Sequence, residues 1–183
     1  MKILTGLIIS AVTLGLSNQV FAQAEVEINW DSPEKYRDVR PSNESRKRFR
    51  DTTFKRINEY MHELAEALPD NKKLLMNVSN LDLAGEVWPA SFVGLGHSAS
   101  DVRVIKDIDI PRMNFSYQLL DESGQVLQQA DVDLKDMSFL NRSSHFFRNE
   151  PLRYEKSMLK RWFEEEFASQ LAQQEANKEA ANS

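Results

Sequence analysis

MNFSYQLLDESGQVLQQADVDL, residues 113 to 134, is the stretch on which the fold turns. Met113, Phe115, Tyr117 and Leu119 alternate strictly, and so do Val126, Gln128, Ala130, Val132 and Leu134. Successive side chains of a strand point to opposite faces, so each run offers one face to a core. Asp121-Glu122-Ser123-Gly124 joins the two runs as the turn of a β-hairpin. A hairpin with one apolar face needs a second layer, and the rest of the chain supplies it.

Toward the N-terminus, EVEINW (residues 25 to 30) alternates with Val26, Ile28 and Trp30 on one side and reads as a short strand. A polar loop with two prolines, 31 to 45, leads to a helix that Ser42 or Asn43 can cap and that runs to about Leu68. In it Phe49, Phe54, Ile57, Met61, Leu64 and Leu68 recur at three- and four-residue steps, within an arc of roughly 140° at 100° per residue. Pro69-Asp70-Asn71 ends it. In LLMNVSNLDL, 74 to 83, the alternation of Leu74, Met76 and Val78 shifts phase to Leu81 and Leu83, which predicts a bulge near Asn80.

Ala84-Gly85-Glu86 then opens a segment of about two dozen residues ending at Arg112, glycine- and serine-rich at first and extended later. So long a connection in a compact domain is usually functional or mobile. After the hairpin, 136 to 149 is loop, Asn149 is the expected cap, and PLRYEKSMLKRWFEEEF (151 to 167) is a helix with Pro151 in its first turn. A strand-helix-strand unit wants its strands parallel, and the hairpin completes a mixed sheet of about four strands. With two amphipathic helices on one face, the predicted fold is an α+β two-layer sandwich.

The first residues, MKILTGLIISAVTLGLSNQVFAQA, have the charged start, short apolar run and small-residue exit of a secretory signal peptide. Cleavage is expected after Ala22 or Ala24, giving a signal peptide at 1–22, one domain at 23–169, and a disordered or frayed helical tail at 170–183. Loss of Lys2 leaves 22 basic against 28 acidic residues, a formal charge of −6, with no basic excess for nucleic acid. No cysteine is present, so disulfides, thiolate catalysis and cysteine-held metal are excluded. No membrane span is expected after cleavage, the predicted location is the periplasm, and the sequence does not fix an oligomeric state.

Few motifs carry chemistry. Gly96-His97-Ser98-Ala99-Ser100 approaches a nucleophile elbow but ends in Ser and lacks the strand-turn-helix context. His62, His97 and His145 have no metal-ligand spacing, so no metal and no cofactor is expected. Asp107 and Asp109 share a face of an extended stretch, as do Asp131 and Asp133, without the remaining features of a calcium loop. SRKRFR (45 to 50) is a short basic patch and a weak candidate for contact with an envelope surface.

Several stretches together resemble a family of exported bacterial proteins known as DUF3016, a domain of unknown function. They are Asp31-Ser32-Pro33-Glu34-Lys35-Tyr36-Arg37-Asp38, Asp82-Leu83-Ala84-Gly85-Glu86, 103 to 112 ending in Ile110-Pro111-Arg112, Leu134-Lys135-Asp136-Met137, and Glu150-Pro151-Leu152-Arg153-Tyr154-Glu155-Lys156 with Trp162-Phe163. The resemblance implies export and a single domain. It implies no activity, cofactor or catalytic residue.

The last helix poses the functional question. Arg153, Lys156, Lys160 and Arg161 crowd its first half and Glu164, Glu165 and Glu166 its second, so both groups oppose the helix macrodipole. Leu152, Leu159, Phe163 and Phe167 form its apolar stripe, and Lys156 falls inside it. The basic edge is expected to dock on the protein's own acids, with Arg153 on one of Asp82, Glu86, Asp107, Asp109 or Asp136. In the alternative, Asp82, Glu86, Trp88, Asp107, Asp109, Arg112, Arg153 and Lys156 line a cleft for an anionic ligand. The expected function is that of an exported envelope domain, non-enzymatic, that binds an envelope protein or an anionic ligand. A carboxylate-dependent hydrolase acting on an anionic envelope substrate is the second reading.

Overall fold

The computed structural model describes residues 23–36, 39, 45–96, 102–142, 147 and 150–181. The predicted signal peptide, the caps Ser42, Asn43 and Asn149, and His97, Ser98 and His145 lie outside them.

The hairpin forms as read: β5 (Arg112–Leu120) pairs antiparallel with β6 (Val126–Lys135). Its turn is built on Asp121, whose Oδ1 accepts the backbone N–H groups of Ser123 and Gln125, both at 2.9 Å. β2 (Lys73–Asp82) lies antiparallel on the other edge of β5, and β1 (Glu25–Trp30) runs parallel to β2, so the mixed sheet has the order β1-β2-β5-β6. The register shift between Val78 and Asn80 is the predicted bulge. It lets Leu81 follow Val78 onto the buried face.

Helix α1 (Arg46–Ala65) and helix α2 (Arg153–Glu166) cover that face. Phe54, Ile57 and Met61 of α1 and Met158, Leu159, Trp162 and Phe163 of α2 join Leu74, Met76, Val78, Met113, Phe115, Tyr117 and Leu119 in one core. Trp162 meets Phe115 edge-on at 4.8 Å and Tyr117 at 5.5 Å, while Trp30 stacks on Phe54 at 3.9 Å. The opposite face of the sheet carries Glu27, Asn29, Asn77, Ser116, Gln118 and Gln129, with amide pairs across strands such as Asn29–Asn77 at 2.5 Å and Gln118–Gln129 at 3.0 Å.

Two features go beyond the sequence reading. The segment after Asp82 folds its own small sheet, β3 (Glu86–Trp88) against β4 (Val102–Val104), beside a one-turn helix at Ala90–Val93. After a break at Phe167 the chain also turns helical again, as α3 (Ala168–Ala181). Leu171 packs against the core and Gln174 is buried there.

The buried tyrosines give the fold an alkaline limit. Tyr36 donates to the Val78 carbonyl at 2.7 Å, and burial, with Asp31 and Glu34 nearby, pushes its hydroxyl from 10.0 up to about 12. Burial raises Tyr60 and Tyr117 further in the same direction. A pKa raised by folding stabilises the native state below the unfolded value and loses that stabilisation as pH climbs through the folded one. Stability should therefore fall between about pH 10 and 12. Tyrosinate absorbance should then rise together with loss of helical circular dichroism, rather than well before it.

Candidate functional sites around the second helix

Two charged residues of α2, Glu155 and Arg161, tie it to the rest of the molecule. Glu155, one turn after Leu152, is fully buried. Its Oε1 accepts the Ala84 backbone N–H at 2.8 Å and is ion-paired with Arg103. Arg103 comes from β4 and also donates Nε to the Ala84 carbonyl at 2.6 Å and Nη1 to the Pro151 carbonyl at 2.8 Å. Five bonds thus lock the small sheet, the Ala84 corner and the start of α2 together, if the Gly85 N–H to the Asp109 carbonyl at 3.0 Å is counted with them.

The second anchor is Arg161, whose Nη2 donates to Asp136 Oδ2 at 2.8 Å. Asp136 is almost fully buried, and its Oδ1 accepts the Ser138 N–H at 3.0 Å. Asp136 was among the expected acceptors, but the arginine that reaches it is Arg161 rather than Arg153. Arg153 lies over the Tyr154 ring, 4.4 Å from its centre, and donates to that hydroxyl. Arg161→Ala would leave a buried carboxylate without its cation, so it should lower stability by about 2 kcal/mol. Its chemical-denaturation midpoint would show this.

Apart from Arg153, over Tyr154, the residues proposed for an anionic cleft fall in three places. Asp82 and Arg112 are cross-strand partners at one end of the main sheet. Glu86, Trp88 and Asp109 gather on the small sheet around Lys106: Trp88 Nε1 donates to Glu86 at 2.7 Å, and Lys106 lies 3.5 Å from Glu86, 3.8 Å from Asp109 and 5.1 Å from the Trp88 ring centre. The Trp88 hydrogen bond, helped by Lys106, holds the Glu86 carboxyl below its usual range. Asp107 is exposed beside them. Lys156 sits apart from these, on the α1 side of α2, paired with Glu150 at 2.8 Å and lying 5.1 Å over the Tyr60 ring. Its side chain is 16% exposed, which accounts for its place inside the apolar stripe. Among the described residues, no three His, Asp or Glu side chains converge as a metal site.

Lys156 instead borders a groove that the sequence does not announce, because one of its walls is α3, whose residues are mostly polar. The groove holds about 730 Å³ between α1, α2 and α3. Leu64, Phe163 and Leu171 give it apolar walls, and Phe147 and Tyr60, edge-to-face at 5.6 Å, close one side. Lys156 and Lys160 line it from α2, each held by a glutamate, Glu150 and Glu164 respectively. Its size lies within the roughly 300–1,000 Å³ usual for small-molecule sites, as does its apolar lining with a few placed charges.

A mixed sheet with helices on one face, an accessory two-stranded sheet and a groove between helices defines an α+β domain. The chain belongs to the family described as "Protein of unknown function (DUF3016)", whose model matches residues 24–165. No curated protein and no solved structure matches it. The match spans the sheet, α1 and nearly all of α2, and stops short of α3.

Proposed function

We propose that this is an exported, soluble protein of the cell envelope, periplasmic once its leader is removed, and that it works by binding rather than catalysis. The groove between α1, α2 and α3 is its binding surface, and a small amphiphile with an acidic end is the occupant that fits. The observation that carries this reading is the pairing of apolar walls with two lysines whose counter-ions are themselves half-exposed glutamates. An acidic ligand can take the place of Glu150 at Lys156 without stranding a buried charge.

The hydrolase reading has less support. Paired-carboxylate chemistry needs one acid held protonated beside one held ionised. Glu86 is held ionised; Asp109 shares Lys106 with it, Asp107 is in solvent and Asp82 lies on the main sheet, so no acid held protonated stands beside Glu86 to complete such a pair. Export rests on the residues 1–22 and is tested by N-terminal sequencing of the protein recovered from the periplasm. Binding is tested with anilinonaphthalene sulfonate, an apolar body with one anionic end. The protein should bind one equivalent, and Lys156→Gln with Leu171→Ser should weaken binding at least several-fold. Equal binding by wild type and variant would remove the groove as the site.

A further inference from the structure

One polar group in the wall of the groove has nothing to bond. The neighbouring side-chain amides are in use: Gln170 donates to Gln128 at 3.1 Å, and Gln128 donates to Glu166 at 2.7 Å. Gln174, one turn further along α3, is only 9% exposed and lines the groove. Among the described residues no hydrogen bond engages its amide. The buried acids Asp136 and Glu155, by contrast, each have an arginine. A buried amide left unpaired is unfavourable, so it marks a place where a partner arrives.

The rest of the lining says what kind of partner. Glu63, Glu175 and Lys178 border the same groove but stand exposed, where water serves them. Gln174 is enclosed, on the same wall as Leu171 and in a groove that Leu64 and Phe163 also line. Lys156 and Lys160 come from α2 and Gln174 from α3, so the groove offers a cationic point and a neutral polar point on different helices. A side-chain amide holds a donor, Nε2, and an acceptor, Oε1, side by side. A ligand carbonyl satisfies the donor alone, and a hydrocarbon satisfies neither. A hydroxyl satisfies both through one oxygen, because it accepts and donates.

We propose, resting on the binding reading of the groove given above, that its occupant is a hydroxylated long-chain carboxylic acid. The carboxylate pairs with Lys156, and the chain lies against Leu64, Phe163 and Leu171. A hydroxyl on that chain accepts from Gln174 Nε2 and donates to Gln174 Oε1. Gln174 is then the residue that selects among amphiphiles. A chain without the hydroxyl leaves the amide stranded in an apolar wall, and a site built to hydrogen-bond a ligand group discriminates against the analogue that lacks it. A hydroxyl also reproduces the bonds of any water on the amide, so displacing such a water loses nothing.

The test is displacement of anilinonaphthalene sulfonate from the chain from Gln23 onward, which holds every described element. The competitors are tetradecanoate and tetradecanoates hydroxylated at one carbon near the head, the middle or the tail. At least one hydroxylated acid should bind about fivefold or more tightly than tetradecanoate. Gln174→Met keeps the length of the side chain without its amide. It should erase that preference, leave tetradecanoate binding at least as tight, and hold or raise the thermal midpoint, since it removes an unpaired polar group. Gln170→Met, on the same helix but bonded to Gln128, should keep the preference. If all the acids displace the probe but none of the hydroxylated ones surpasses tetradecanoate, the inference fails and the groove stands as a plain amphiphile site. If no acid displaces the probe, the reading of the groove fails with it. A preference that survives Gln174→Met, or that Gln170→Met removes equally, overturns the role given to Gln174.

Discussion

Replacing Glu155 with alanine should destabilise the fold by about 3–5 kcal/mol, the cost of breaking a buried ion pair from one side. The carboxylate is fully buried, and Arg103, with a fifth of its side chain exposed, has that carboxylate as its charge partner. The substitution leaves a guanidinium facing low dielectric, an Ala84 N–H without its acceptor and a cavity under the small sheet. Glu155→Gln keeps the shape and an oxygen for Ala84, so it should lose less. The pair Arg103→Met with Glu155→Leu should recover much of the loss, since an apolar pair of similar volume does not bury an uncompensated charge. Denaturation midpoints of the four proteins check this. A Glu155→Ala variant within about 0.5 kcal/mol of wild type, the range of ordinary surface changes, would show that the bond does not hold α2 in solution.

Gly85→Ala should have an effect of similar size for a different reason. Gly85 sits at φ +71°, in the left-handed region, and a Cβ placed there would come within 2.2 Å of the Val104 carbonyl oxygen. The conformation alone costs a residue with a side chain about 1–2 kcal/mol. The clash is with backbone, which no rotamer can relieve, and Ile105 closes the remaining space with its Cα at 3.0 Å. The corner has to open by more than an ångström, which would strain the Ala84 bonds to Arg103 and Glu155. A loss of at least about 3 kcal/mol is expected from strain and overpacking together. Gly94→Ala is the control, since it shares the positive φ but meets nothing within 4 Å, and it should lose only the conformational part.

These two substitutions mark where the sequence stopped being readable. The main sheet was legible because its residues obey one local rule, alternation. The phase slip at Val78–Asn80 was legible too, since a bulge is an interruption of that rule. β3 and β4 were not, because three residues are too few to show a period and their pairing spans a long segment. Glu155 lies at the three- and four-residue steps between Leu152 and Leu159, so its position on the apolar face was written in the helix. Its partner, Arg103, is 52 positions away, and nothing local pairs the two. An acid at a core position of an amphipathic helix is a signal that such a partner exists.

The candidate sites divide in the same way. Lys156 stood out because it breaks an apolar stripe, and the structure gives it both Glu150 and the face of Tyr60. The cleft expected around it drew on acids of the main sheet and of the small sheet, which lie apart from Lys156. The groove that Lys156 does border depends on α3, whose sequence is too polar to announce a packed helix. Leu171 and the buried Gln174 anchor it, with Gln170 bonded to Gln128, against the weak stripe of the remaining residues.

Amide chemical-shift mapping of the isotope-labelled protein, titrated with anilinonaphthalene sulfonate, tests the binding reading most directly. Shifts should concentrate on the groove-facing residues of α1, α2 and α3, around Leu64, Lys156, Phe163 and Leu171, and should saturate at one equivalent. Shifts confined to the small sheet and the one-turn helix beside it, or to the open amide face of the main sheet, with α1, α2 and α3 unmoved, would contradict it.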